Sequence, residues 1–379
     1  MIKLNLGEAQ NIIGFTVGNA GPGEKVGVQT KDWFTSDHPF FYTHLKKISE
    51  IFLGLHGIFP DQVFQFLVII HEDRTGELYL NEEVETTADM ILKKNVQDGE
   101  VVYTNDIADV RRLKFNARVN EDDKVLFCFK IGWKFAFFYD LGRPDSKLDM
   151  DRMSLTLGSL YSLLRFEHIY KTLESESLSG KLFKDGWFPF IEILGSDYEA
   201  LTEIYLNTFG FKERINQIID SFNEERINKI IKKWSMSPVF KEKELIITAG
   251  VKAYLQDTDS GYITCIKTLA TEIEGIMRNQ YLVDTGTALG GIKAVINFII
   301  EKAKNKIQSE SSLFLPEYFL NHLYENVFAH FEYSSIANDE AIALSRHSVS
   351  HGAASPGSYT KQAALQMILN LDQIFFYIR

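Results

Sequence analysis

The sequence predicts an α+β protein, in which an antiparallel sheet with accompanying helices is followed by a bundle made only of helices. Between Val63 and Asp140, runs of β-branched and aromatic residues alternate with Gly and charged turns, as in antiparallel strands. After about Gly180, apolar residues recur at helical spacing almost throughout. A chain of 379 residues exceeds one ordinary core. We therefore expect two domains, 1–180 and 181–379.

Five segments of the first domain have the composition of strands. The last two, KVLFCFKI and KFAFFYDL, are separated by Gly132 and Trp133 and predict a hairpin. The strand segments cover residues 63–71, 77–84, 99–104, 124–131 and 134–141. Apolar residues at three- and four-residue steps also predict helices over 44–57 and 150–174.

Helical periodicity dominates the second domain, and Gly, Pro, Ser or Asp bounds each segment. The domain boundary is expected within 174–187, where Ser, Gly and charged residues replace the periodic pattern. The predicted helices cover 197–209, 211–234, 243–256, 262–282, 290–306, 315–331, 339–351 and 360–378.

Composition restricts the classes of function. Two cysteines suit a reducing compartment, and we find neither a secretion signal nor an apolar run of about 20 residues, so a cytoplasmic protein without membrane contact is expected. The formal net charge of -11 argues against non-specific coating of nucleic acid, because Lys and Arg supply most of that affinity. Any contact with nucleic acid should be local.

The candidate site lies in the stretch SRHSVSHG, residues 345–352. A permanently charged Arg346 and a titratable His351 suit a phosphodiester substrate. For RNA, His351 can take the proton of the ribose 2′-hydroxyl as general base, while Arg346 stabilises the charge on the phosphate. His347 lies four residues before His351, but Ser348 replaces the Glu of the common zinc motif, so neither a metal nor another cofactor is expected.

A purely structural explanation of these residues stays open. Arg346 and His347 would then complement the dipole at a helix C-terminus, His351 would cap its carbonyls, and Gly352 would end the helix. Further upstream, Glu272 and Glu274 lie two apart on a predicted helix, so they should face different directions, with one of them in solvent.

The residues LSRHSVSHG, in a late helical segment followed by one more apolar helix, resemble the signature of the HEPN superfamily. The match is to the branch found in abortive-infection and defence proteins, whose motif is Asn-Arg-His-x-x-x-His-Gly. Ser345 departs from that Asn. The helix over 249–279 is similar to the first helices of the branch, and the resemblance covers about residues 240–379.

The resemblance implies a homodimer in which two copies of the motif line one cleft, and an endoribonuclease that cuts RNA without metal. Arg346 and His351 match the catalytic pair, and His347 matches the polar second position. Some relatives of this kind are inactive and bind RNA, nucleotides or proteins, so a dimeric binding or scaffold protein is the alternative. A regulatory protein partner and a sensing role for residues 1–180 are also expected.

The terminal helix offers a further reason to expect a dimer through the C-terminal domain. It has more apolar positions than one face against a core requires, so part of that surface is expected to contact a second copy. These positions are Leu365, Ile368, Leu369, Leu371, Phe375 and Ile378.

Overall fold

The chain is described here by a computed structural model. Its residues form two compact units, the first made of Met1–Met90 and Val110–Arg165 and the second of Ile91–Asp109 and Phe166–Arg379. The expected boundary segment, 174–187, lies inside the second unit. The structure describes residues 1–5, 22, 33–35, 43, 47, 53–54, 57–58, 62–132, 134–141, 146–288, 290–309, 311–332 and 342–379. The helix predicted over 44–57 lies largely outside these residues.

The first unit is built on a six-stranded antiparallel sheet in the order β1-β4-β3-β7-β8-β2, and β5 and β6 form a separate two-stranded sheet. This sheet and the helices that follow it confirm the predicted α+β class. The strands are β1 (Ile2–Asn5), β2 (Trp33–Thr35), β3 (Gln65–Ile70), β4 (Thr75–Leu80), β5 (Thr86–Leu92), β6 (Ile107–Phe115), β7 (Lys124–Ile131) and β8 (Lys134–Asp140).

The central strands are apolar on both faces because two separate cores use them. In β3, Leu67 and Ile69 pack in one cluster, whereas Phe66 and Val68 pack in the other. The first cluster also contains Leu157 and other residues of the helix that follows the sheet. Burial on both faces explains why β3 reads as a continuous apolar run instead of alternating with polar residues.

The hairpin of β7 and β8 is confirmed, with Ile131 opposite Lys134. Gly132 in its turn has a φ of 60°, which favours glycine. The strand predicted over 99–104 is wrong, because Val101 to Tyr103 are irregular and exposed. Strands β5 and β6 are not predicted by the sequence pattern, since charged residues interrupt both of their sequences.

Helix α1 (Met150–Arg165) belongs to the first unit. The predicted helix over 150–174 breaks at Phe166, where the chain enters the second unit for the second time. The helices of the second unit are α2 (Glu167–Glu174), α3 (Glu176–Lys184), α4 (Ser196–Leu206), α5 (Phe211–Asp220), α6 (Glu224–Trp234), α7 (Pro238–Glu242), α8 (Glu244–Tyr254), α9 (Asp259–Thr285), α10 (Ile292–Lys304), α11 (Pro316–His322), α12 (Arg346–Ser350) and α13 (Lys361–Ile378). A π-helical turn, Leu323–Val327, continues α11. In the part of the chain that the structure describes, no helix is long and apolar enough to cross a membrane.

The terminal helix α13 is the centre of the second unit. It packs against α9 and α10, and also against α5, α6 and α8. All of its residues from Met367 to Ile378 are buried, including the apolar positions on every side of the helix. The positions that we expected to contact a second copy are therefore used inside the unit, and that argument for a dimer is wrong.

A buried charge cluster joins α13 to α6. The Lys233 ammonium lies 2.9 Å from the Asp372 carboxylate and also contacts Glu192, and the Trp234 indole donates a 2.8 Å hydrogen bond to Asp372. Burial raises the pKa of Asp372 to about 7, and the neighbouring Glu192 carboxylate adds to this effect while Lys233 opposes it. The cluster fixes α13 in the middle of the unit.

Candidate functional site

The motif SRHSVSHG folds as a short helix that is capped at both ends. Ser345 is the N-cap: its hydroxyl accepts a hydrogen bond from the Ser348 amide (3.1 Å), and the Ser348 hydroxyl accepts one from the Ser345 amide (2.9 Å). This reciprocal pair is a capping box with Ser in place of Glu. Both serines are buried. Ser345 stands where the HEPN-type motif that this sequence resembles has Asn, and in this structure it caps the helix.

Gly352 ends α12 as predicted, with a φ of 68°. The amides of Gly352 and Ala353 donate to the carbonyls of Val349 (3.2 Å) and Ser348 (2.8 Å), which is the double hydrogen bond of a Schellman motif. His351 is the C-cap residue between helix and glycine. Its backbone is held by this motif while its side chain is exposed.

Arg346 is the first residue of α12, not a residue of its last turn. The suggestion that it complements the negative end of a helix dipole is therefore wrong, because the N-terminal end is the positive one. Its charge is met instead by Glu274 of α9, whose Oε2 lies 2.7 Å from Arg346 Nε. The Nε–H is not aligned for a hydrogen bond in this ion pair. The Arg346 side chain is 32% exposed.

Glu274 is shared by two arginines. Its Oε1 accepts a 2.7 Å hydrogen bond from Arg278 Nε, one helical turn further along α9. Glu272 points elsewhere, as predicted, and pairs with Lys243 at 3.3 Å. Both carboxylates are mostly buried, so the expectation that one of them lies in solvent is wrong. Glu274 therefore balances only one of the two guanidinium charges that it contacts.

Three imidazoles lie together, and Arg346 is close enough to the central one, His347, to influence its pKa. The ring centroid of His347 is 4.9 Å from that of His351 and 4.7 Å from that of His330, and Phe331 contacts both His347 and His351 at about 6 Å between centroids. His330 and His351 are exposed, and His347 is half-buried between them. The sequence motif predicted two of the three histidines.

The central imidazole is held neutral. Burial, and then the neighbouring His330, His351 and Arg346, lower the pKa of His347, and only Glu274 opposes them. Its Nδ1 is buried without a hydrogen-bond partner among the described residues. The lowered pKa favours the neutral form of His347, which lies between the two exposed outer rings.

His330 is positioned by the segment that follows α11. The π-helical turn Leu323–Val327 ends that helix, and residues 328–332 lead irregularly to the cluster. A buried His322 anchors the end of α11: it stacks on Phe319 and donates from Nε2 to Asn370 Oδ1 of α13 at 3.1 Å. Single π-helical turns within helical segments are frequent at functional sites.

The structure places Arg346, His347 and His351 on α12 and at its C-cap, and it adds neighbours that the motif did not indicate. His330 lies 21 positions before His351 in a segment predicted as helix, and no spacing rule connects the two. The sequence indicated that Glu274 lies on a helix, but it did not indicate that Glu274 pairs with Arg346. The capping serines had a signal, since Ser-x-x-Ser before Gly is close to a capping-box pattern.

Guanidinium groups pair with anions and imidazoles are common proton-transfer groups, so these residue types are chemically suited to an anionic substrate. Within the described ranges, no group of three or more His, Cys, Asp or Glu side chains is placed to hold a metal ion. Comparison of the chain with protein-family models, with curated proteins and with solved structures finds no match in any of the three.

Proposed function

We propose that the protein is a metal-independent endoribonuclease of the defence or toxin type, with a HEPN-like helical domain. The observation that carries this proposal is the cluster of three imidazoles next to Arg346, which is ion-paired with Glu274. RNA needs few catalytic groups, because its own 2′-hydroxyl is the nucleophile. A base and a fixed cation are the minimum, and His351 and Arg346 are the groups that we assign to these roles.

In the proposed reaction, His351 accepts the proton of the 2′-hydroxyl as that oxygen attacks phosphorus. Arg346 stabilises the negative charge that gathers on the non-bridging phosphate oxygens. Its partly exposed guanidinium keeps donors beyond the contact with Glu274, since a guanidinium carries five N–H groups. The products are a 2′,3′-cyclic phosphate and a 5′-hydroxyl end.

The test is incubation of the purified protein with mixed RNA in EDTA. We expect cutting to persist, and His351→Ala and Arg346→Ala each to slow it about 100-fold or more. Ser350→Ala, next to His351 and exposed, is the matched control and should cut at the normal rate. Loss of cutting on chelation, or unaltered cutting by His351→Ala, would contradict the proposal.

A second candidate function is a dimeric binding or scaffold protein without catalysis. Its support is the ion pair between Arg346 and Glu274, which neutralises part of the charge that a phosphate needs, together with the net charge of -11. The same RNA assay separates the two candidates. A scaffold would cut no RNA, and its Arg346→Ala variant would change only stability or association.

We also propose a homodimer through the helical unit, a cytoplasmic location and a regulatory protein partner. The dimer now rests on the family resemblance, since α13 is buried in its own unit. A sedimentation experiment on the protein at micromolar concentration tests it directly.

A further inference from the structure

We infer that His330 is the general acid of the proposed reaction, and that it gives its proton to the 5′-oxygen that leaves. This inference rests on the proposed endoribonuclease activity and deepens it. It assigns the proton donor to the same chain that supplies His351 and Arg346, so one copy of the protein contains the whole set of catalytic groups.

The positions of the three rings support this assignment. His330 and His351 each contact His347, at 4.7 and 4.9 Å between centroids, so the two outer rings are separated by no more than those two distances together. Both outer side chains are exposed, whereas His347 is half-buried. A substrate can therefore reach two imidazoles from solvent, and the ring between them is set further back.

The different chain positions of the outer histidines make the pair suitable for two roles. His351 is held at the C-cap of α12 by the Gly352 turn, and His330 comes from the segment after the π turn. The two rings thus approach the cluster from separate elements. In-line displacement at phosphorus needs a base at the entering oxygen and an acid at the leaving oxygen, so two independently held groups meet that need.

The proton and electron changes balance without any further reactant. The 2′-oxygen forms a bond to phosphorus, and its proton goes to neutral His351. The bond from phosphorus to the 5′-oxygen breaks, and that oxygen takes its electron pair and the proton of the His330 imidazolium. The 2′,3′-cyclic phosphate and the 5′-hydroxyl result, and the two histidines end with their protonation states exchanged.

The experiment compares two substrates that differ in leaving group. One is an RNA dinucleotide, whose 5′-alkoxide leaves poorly without a proton. The other is a ribonucleoside 3′-(4-nitrophenyl phosphate), whose phenolate leaves readily without one. We expect His330→Ala to slow cleavage of the dinucleotide about 100-fold or more and to change cleavage of the aryl ester little. His351→Ala should slow both, because both need the base.

Glu332→Ala provides the matched control, since Glu332 is exposed in the same segment as His330. The Glu332→Ala variant should cleave both substrates at the normal rate. Far-ultraviolet circular dichroism should show that the His330→Ala and Glu332→Ala variants are folded. Equal losses on the two substrates, or no loss on either, would overturn the role of His330 while leaving the endoribonuclease intact. A normal protein that cleaves neither substrate would overturn the proposed function itself.

Discussion

One buried histidine, His322, should make the stability of the helical unit depend on pH. The Asn370 amide donates from Nδ2 to the Gln366 carbonyl, so its Oδ1 faces His322 and must receive the Nε2 proton. The other ring nitrogen, Nδ1, faces the Asn326 amide nitrogen at 3.3 Å. The neutral ring therefore satisfies both contacts. A second proton, bound at Nδ1, would face the N–H donor of the Asn326 amide and would have no acceptor there.

Burial is the main reason that the pKa of His322 falls from 6.5 to about 4, and the hydrogen bond with Asn370 opposes this effect. Since the unfolded chain binds the proton more tightly, stability is fully present above pH 6.5 and is lost as the pH falls toward 4. One pKa unit corresponds to about 1.4 kcal/mol. Protonation linked to His322 should therefore cost the fold about 2 kcal/mol between pH 8 and pH 5.

The assay is urea unfolding followed by circular dichroism at 222 nm, which reports the helical unit, at pH 8 and pH 5. His322→Gln keeps an amide donor but does not titrate. At each pH, the unfolding free energy of the variant is subtracted from that of the normal protein. This difference should be about 2 kcal/mol lower at pH 5 than at pH 8. Other titrating groups cancel in that difference. A difference that is the same at both pH values would refute the buried neutral histidine.

Three further predictions concern the ion pairs and the assembly. Glu274→Gln should lower kcat for RNA about 100-fold by releasing Arg346, as steady-state kinetics would show, whereas Glu272→Gln, equally buried and ion-paired, should leave it near normal. Lys233→Met should lower the free energy of urea unfolding by about 3–5 kcal/mol at pH 8, because two buried carboxylates lose their shared cation, whereas the exposed Lys232→Met should change it little. Sedimentation at micromolar concentration should show a dimer of the full chain, and a clean monomer would contradict the proposed assembly.

The fold could be predicted from the sequence where the spacing of apolar residues clearly matches either a strand or a helix. The hairpin of β7 and β8 has a long apolar run on each side of a glycine turn, and α9 has a helical stripe over 27 residues. Prediction failed where local composition and tertiary context disagree. Residues 99–104 have the composition of a strand, but no neighbouring strand pairs with them among the described residues.

The candidate site shows a different limit. Arg346, His347 and His351 are neighbours in sequence, so a motif can indicate them together. His330 and Glu274 reach the same place through the fold, from the irregular segment after the π turn and from the middle of α9. Moreover, the segment predicted as helix up to His351 is helical only from Arg346 to Ser350 among its described residues. A capping box formed by Ser345 overrides the helical pattern before it.

The central claim is that the substrate's own 2′-hydroxyl is the nucleophile, which makes a metal-bound water unnecessary. The most direct measurement uses a short RNA with one preferred cleavage position and its analogue with a single 2′-deoxy substitution at that position, both in EDTA. We expect the normal RNA to be cut to a 2′,3′-cyclic phosphate, identified by mass spectrometry, and the analogue to stay intact at that position. Cutting of the analogue, or a 3′-hydroxyl product from the normal RNA, would contradict it.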